Sequence, residues 1–383
     1  MQPVLPRLPG LVYRSSRTLH KTIGLMMTTT SRTPSLKTIA RAVGVSVATV
    51  SNAYNKPDHL SAALRERIFA TACELGYAGP DPAARSLRGA RTGAIGVLST
   101  VQLSYAFTDP YCSVFLAGLA DVAERHQTSI VLMPLAPRAG SAPEQVRASV
   151  EAVRNAVIDG VVIDGIDDGH PGLQVVTNRA LPRVRSTDDP DSRCVLIDDR
   201  AAGAAVGAHL AGFGHRDVAL IAASAHEPGT VRTVASDSML YPYARLRLAG
   251  LREGLGPGGR VTVVAAGPNR AEDGRAAAEL VLRQRPRPTA IAATSDVLAL
   301  GVRDALDRHG LRPGLDVSLT GFDDIPAAAA AGLTTVRQPI REKGQLMGRM
   351  LLDPSLTERR LVLPAELVAR ASTGPVSPVA EEA

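Results

Sequence analysis

Val47, Ala48, Ser51 and Asn52 are spaced to share one side of a short helix, and their side chains suit the edges of DNA bases. An Asn amide pairs with adenine, and small apolar groups meet thymine methyls. Thr49, Asn55 and Lys56 flank them where phosphates would lie, with Ser46 at the head of this helix and Leu36 at the head of the one before. Catalytic chemistry has no comparable support. The eight His residues are scattered without HxxxH or HExxH spacing, and neither a GxSxG elbow nor a GxxxxGK[ST] loop occurs. The Gly cluster at 254–259 does not lead from a strand into a helix. Asp164, Asp167 and Asp168 could suggest a cation site, but a solvated strand-end loop explains them more simply. Cys73, Cys112 and Cys194 are too far apart for a CxxC pair, which fits a reducing cytoplasm. No enzyme, metal or cofactor is expected.

The elements around Asn52 follow a helical period. Leu36, Ile39, Ala40 and Val43 form one apolar face, Gly44 breaks it, and Ser46 caps a second helix through Val47, Val50, Ala53 and Tyr54. Asn55, Lys56 and Pro57 end that helix. Ser61 caps a third, with Leu64, Ile68, Cys73 and Leu75 expected inward and Gly76 as its stop. Two short helices about a Gly-containing turn are the helix-turn-helix signature, whose second helix enters the major groove. A structural three-helix unit would show the same spacing, and charge decides between them.

Residues 1–93 hold 13 Lys/Arg against 4 Asp/Glu, a balance of +9. The remainder holds 30 against 33, a balance of −3 within a net +6. A basic head on a mildly acidic body points to a polyanion, with nucleic acid first. Residues 1–33, rich in Pro, Ser, Thr and Arg, show no period and read as a disordered basic arm or as an extension from a start codon set too early. No apolar run reaches the 18 residues of a membrane helix, so no membrane partner is expected.

Beyond Thr92, β-like runs at 94–98, 129–133, 160–164, 218–222, 261–265 and 290–294 alternate with helical stretches. This rhythm implies parallel sheets covered by helices, and its length suits two doubly wound subdomains.

The stretch LKTIARAVGVSVATVSNAYN (36–55), then ELGY (74–77) and PDPAARSLRG (80–89), resembles the headpiece and hinge of the LacI/GalR family of bacterial repressors. AGFGHRDVALIA (211–222), YARLRLAGL (243–251), ATSDVLALGV (293–302), SLTGFDDIP (318–326) and ELVARAS (366–372) look like landmarks of that family's effector domain. The resemblance implies an all-α headpiece at 34–79, a hinge helix at 80–91, a periplasmic-binding-protein-like α/β effector domain at 92–372 and a tail at 373–383. It places Ala84 and Leu87 at the hinge positions that enter the minor groove, where an apolar wedge unstacks a base step. It also implies that Arg247 grips the effector, that the carboxylate of Asp323 accepts its hydrogen bonds, and that Ser295 and Asp164 sit at ligand-facing positions. The partners implied are operator DNA, a sugar or related metabolite, and a second copy of the chain in a homodimer or a tetramer built from it, on the nucleoid in the cytoplasm.

Two departures stand out. Gly79 adds a residue before the hinge, and LPRVRSTDDPD (181–191) replaces an apolar strand, so that a carboxylate expected at its end is either Asp188 or missing. The loop 225–240 is long and lies near the expected cleft mouth. The competing reading is a solute-binding protein of the periplasmic type, which would share the body but need a secretory signal and no basic head.

Overall fold

The computed structural model describes residues 34–55, 57–77, 79, 91–136, 141–224, 230–235 and 240–376. The chain divides into two compact units, Met1–Arg85 and Ser86–Ala383.

In the first unit, helices α1 (Leu36–Val43), α2 (Val47–Asn55) and α3 (Ala62–Glu74) close around Ile39, Ala40, Val50, Ala53, Ile68 and Ala72. Gly44 ends α1 in the left-handed region at φ 77°, donating its N–H to the Ala40 carbonyl, and so turns the chain sharply into α2. Ser46 Oγ accepts the Thr49 amide at 3.0 Å, and Ser61 Oγ accepts that of Leu64 at 3.4 Å. Two residues of α3 differ from expectation. Cys73 is exposed and Leu75 is 39% exposed. The inward face steps from Ile68 to Ala72, four residues on, which leaves Cys73 one position off the stripe, while Leu75 is already the cap.

The second unit is α/β. A six-stranded sheet runs in the order β12-β5-β4-β3-β1-β2, all parallel: β1 (Ala94–Ser99), β2 (Ser129–Pro134), β3 (Val161–Ile163), β4 (Arg183–Arg185), β5 (Arg193–Ile197) and β12 (Arg360–Leu363). A five-stranded sheet runs β10-β9-β6-β8-β7: β6 (Asp217–Ala222), β7 (Arg232–Thr233), β8 (Arg260–Ala265), β9 (Ala290–Ala293) and β10 (Ser318–Thr320), with only the short β7 antiparallel. β11 (Thr335–Arg337) and β13 (Glu366–Val368) pair with each other where the chain passes between the sheets.

Helices cover these sheets. α4 (Leu103–Ala106), α5 (Pro110–Arg125), α6 (Pro143–Asn155) and α7 (Pro171–Asn178) follow the first strands. α8 (Asp199–Gly212), α9 (Pro242–Leu255), α10 (Ala271–Leu282), α11 (Asp296–Arg308) and α12 (Pro326–Ala330) belong with the second sheet, and α13 (Ile340–Leu352) returns to the first. Alternate residues face opposite layers, as in β1, where Ile95 and Val97 join one core and Leu98 another. Helices α8 and α9 cross so closely that a Cβ on Gly203 would lie 2.3 Å from the Arg247 carbonyl oxygen, and one on Gly250 1.9 Å from that of Arg200.

All six runs anticipated from the sequence contain a strand. β4 forms despite its arginines because Arg185, only 5% exposed, is enclosed by acceptors: Asp189 at 3.0 Å, Asp168 at 2.5 Å and the Ile166 carbonyl at 3.2 Å.

Candidate DNA-reading helix and ligand cavity

The head of α2 separates two kinds of side chain. Val50 and Ala53 are buried, whereas Val47 (40% exposed) and Ala48 turn outward, with Ser51 and Asn52 half-buried beside them. The Thr49 hydroxyl meets Ser46 Oγ at 2.8 Å, so it reinforces the cap. Leu36 is half-buried against the small core. Lys56, Ala84 and Leu87, the side chain of Asn55 and most of the loop 225–240 lie outside the described residues.

In the second unit a cavity of about 1030 Å³ opens between the two sheets, and Asp164, Arg247, Ser295 and Asp323 all line it. Strand ends deliver these groups, because in a parallel sheet the carboxyl ends of the strands open onto the crevice. Asp164 follows β3, Ser295 caps α11 just after β9, and Asp323 lies three residues past β10.

Arg247, on α9, is buried. Its Nε donates to Asp199 Oδ1 at 2.8 Å and one terminal nitrogen to the Thr294 carbonyl at 2.5 Å, while the guanidinium stacks 3.3 Å from the Phe322 ring centroid. Asp323 takes a positive φ of 117°, an uncommon conformation for a residue with a Cβ. Burial holds its carboxyl well above the usual range, with Arg247 pulling the other way. Gln338 Nε2 donates to its Oδ1 at 2.6 Å. Ser295 Oγ accepts the Leu298 amide at 3.1 Å and also meets Asn269 Oδ1. Asp164 Oδ1 accepts from the Tyr111 hydroxyl at 3.4 Å and lies 3.8 Å from Lys343 Nζ.

Sequence reasoning missed Asp199, Gln338, Tyr111 and Lys343. A signal existed only for Asp199, the second of two acids that follow the apolar run at 195–197. Asp188, the alternative considered for the strand-end carboxylate, lines the cavity as an exposed residue paired with Arg360 at 3.2 Å. The acid run divides among cations, with Asp167 on Arg245 at 2.6 Å and Asp168 on Arg185. Among the described residues no group of three or more His, Cys, Asp and Glu could hold a metal, and no helix is long and apolar enough to cross a membrane.

A capped helix pair for the major groove, ahead of a two-sheet cleft, defines a ligand-responsive DNA-binding regulator. The comparisons agree. The family model "Bacterial regulatory proteins, lacI family" matches residues 35–79, and "Periplasmic binding protein-like domain" matches 208–373. The HTH-type transcriptional regulator Rv3575c of Mycobacterium tuberculosis is 38% identical over 362 residues, 91% of this chain and 99% of its own. Among solved structures, the lac repressor dimer bound to operator and the anti-inducer ONPF is 26% identical with a TM-score of 0.68, covering 89% of this chain and 99% of that one. The CelR–cellobiose complex is 26% identical with a TM-score of 0.61, covering 88% and 99%. The chain belongs to the lacI family of bacterial regulatory proteins, a family of non-enzymatic transcriptional regulators.

Proposed function

We propose that this chain represses transcription as a homodimer on the nucleoid, reading a two-fold operator and releasing or retaining it according to a carbohydrate or related polyhydroxylated metabolite held in the cavity. Val47, Ala48, Ser51 and Asn52 read bases, Leu36, Ser46, Thr49, Asn55 and Lys56 fix the helix on the duplex, and Ala84 and Leu87 wedge the minor groove. Arg247, Asp323, Ser295 and Asp164 hold the effector. The observation that carries this reading is that those four residues, from four separate elements, line one cavity in a chain headed by a helix-turn-helix unit. The cellobiose of the similar CelR complex supports the ligand class.

Apolar side chains support the dimer. Leu103 on α4, Phe107 just after it and Val114 on α5 are exposed, at 44%, 66% and 39%, and β2 is an edge strand carrying exposed Val131. A ligand that favours one pose of the two sheets would shift the dimer and so the operator affinity.

Fluorescence anisotropy with the full chain on fragments of its own genome, repeated with candidate sugars, tests this. We expect affinity to fall steeply with salt and one sugar to move it. No salt-sensitive attraction to duplex DNA would overturn the reading.

A further inference from the structure

Asn269 joins the two sheets at the cavity wall. It lies on the turn between β8 and α10 of the second sheet and lines the cavity together with Ser295 and Asp109. Its side-chain oxygen accepts from the Ser295 hydroxyl, and its amide nitrogen donates to Asp109 Oδ2 at 3.3 Å. Its carbonyl oxygen stands 2.5 Å from the Tyr105 hydroxyl. Ser295 heads α11 on the second sheet, whereas Tyr105 on α4 and Asp109 at the start of α5 belong with the first.

Donor and acceptor chemistry fixes this orientation. An ionised carboxylate only accepts, so the Asn269 nitrogen faces Asp109 and its oxygen is left for Ser295. Ser295 Oγ already accepts the Leu298 amide at 3.1 Å, and its single proton goes to Asn269. A ligand oxygen can therefore take that proton only by displacing Asn269. Asp109 is anchored in turn. Its Oδ1 accepts the Cys112 amide at 2.8 Å, and its Oδ2 lies 2.5 Å from Tyr105, whose one proton is shared with the Asn269 carbonyl.

Burial gives this chain of bonds its weight. Asp109 is 3% and Ser295 4% exposed, and breaking a bond there leaves a desolvated polar group unmatched. Two other contacts cross between the sheets. Arg270 donates to Gln102 at 3.3 Å, and Arg245 pairs with Asp167 through side chains 31% and 51% exposed, a setting in which ion pairs contribute little. α4 is a single turn of four residues, too short to persist alone, so a change that reaches Tyr105 is felt by its backbone.

We propose that Asn269 is a positioning residue that couples the ligand-facing hydroxyl of Ser295 to α4 and the head of α5, so that a change at Ser295 alters the tie between the two sheets. Its bearing on the effector rests on the reading of the cavity as the effector site. The coupling itself is measured without ligand, so either can fall while the other stands.

Hydrogen–deuterium exchange of the full, ligand-free chain, read by mass spectrometry over residues 103–113, tests the coupling. Those amides bond within α4 and to Asp109. Ser295→Gly removes the hydroxyl, and glycine is tolerated at a helix cap. It should speed exchange over 103–113 by about 3- to 10-fold, two hydrogen bonds away from the substitution. Asn269→Asp keeps an acceptor for Ser295 but sets a carboxylate against Asp109, and should speed the same amides by about 10-fold or more. Adding Asp109→Asn puts a donor opposite that carboxylate and can still cap α5, so the rate should return to within about threefold of wild type. Exchange over 143–155, in α6, should stay as in the wild type, and acceleration there too would mean general loosening and overturn the coupling. Changes confined to residues 295–300 in Ser295→Gly also overturn it. A double variant no slower than Asn269→Asp overturns the direct contact, and this pair carries the test should Ser295→Gly not fold.

Discussion

Arg247 and Asp199 form a buried ion pair across the α8–α9 crossing, with Nε to Oδ1 at 2.8 Å and 9% and 12% of their side chains exposed. Gly203 and Gly250 permit it, since the helices approach too closely for side chains at those positions. The pair holds the guanidinium against Phe322, leaving little freedom to be lost when a ligand is gripped.

Removing one partner of such a pair leaves a buried charge without compensation. Asp199→Ala should therefore destabilise the second unit by about 3–5 kcal/mol. It should also loosen the guanidinium, so that the ligand response weakens together with stability. Thermal melting of the variant beside Arg247→Met and the double variant checks this. A double variant no worse than either single one confirms the coupling, and strictly additive losses would count against it.

Much of the architecture was legible because it rests on local pattern. The apolar period of α1, the cap at Ser46 and the β-run before each strand of the two sheet centres are all written in consecutive residues. The strands that return late, β11 to β13, were not: β12 is fixed by β5, more than a hundred residues back in the chain, and the three-residue β11 and β13 are too short to show a period and are fixed only by each other. Lys343 and Gln338 were hidden for the same reason. Nothing in their own helix or strand marks them, and only the crossing of the chain back to the first sheet brings them to the cavity. Arg185 looked like an interruption of a strand because its neutralising acids, Asp168 and Asp189, lie on loops whose position a linear pattern does not reveal.

Asp296 gives the second unit a pH dependence of known sign. Its carboxylate accepts from the Ile325 amide at 2.9 Å and the Thr335 hydroxyl at 2.6 Å, but burial still raises its pKa from 3.8 to about 6. The folded state thus holds this proton more tightly than the unfolded chain. Stability contributed by the group is present below pH 4 and is lost as pH rises towards 6, at no more than about 1.4 kcal/mol per pH unit. Asp296→Asn removes that loss. The melting temperature of the variant minus that of the wild type should rise between pH 4 and pH 7, and a flat difference would refute the effect of burial.

At the DNA end, Asn52 stands half-buried on the outward side of α2 with Val47 and Ala48 beyond it. A bidentate amide contact to adenine discriminates by about 1–3 kcal/mol. Asn52→Ala should flatten the preference at one operator position on each half-site, reducing it about 5- to 100-fold, and leave the salt dependence unchanged. Binding-site selection with both proteins at one salt concentration reads this directly. An unaltered preference would place a different face of α2 in the groove.

Phe107 is 66% exposed and follows α4 directly, with Leu103 and Val114 exposed on either side of it in sequence. A lone exposed phenylalanine is unremarkable, but three large apolar side chains within twelve residues beside an open sheet edge suit a self-complementary two-fold interface. Phe107→Asp should cost the folded monomer little, within about 0.5 kcal/mol, because the side chain gains no buried partner within its own chain. The same charge placed twice across a two-fold axis would meet its copy, so self-association should weaken by about tenfold or more. Sedimentation velocity at micromolar concentration should then show monomer for the variant and the proposed dimer for the wild type. The affinity for a full operator should fall towards that for a single half-site. A variant that stays dimeric would move the interface to another face of the second unit.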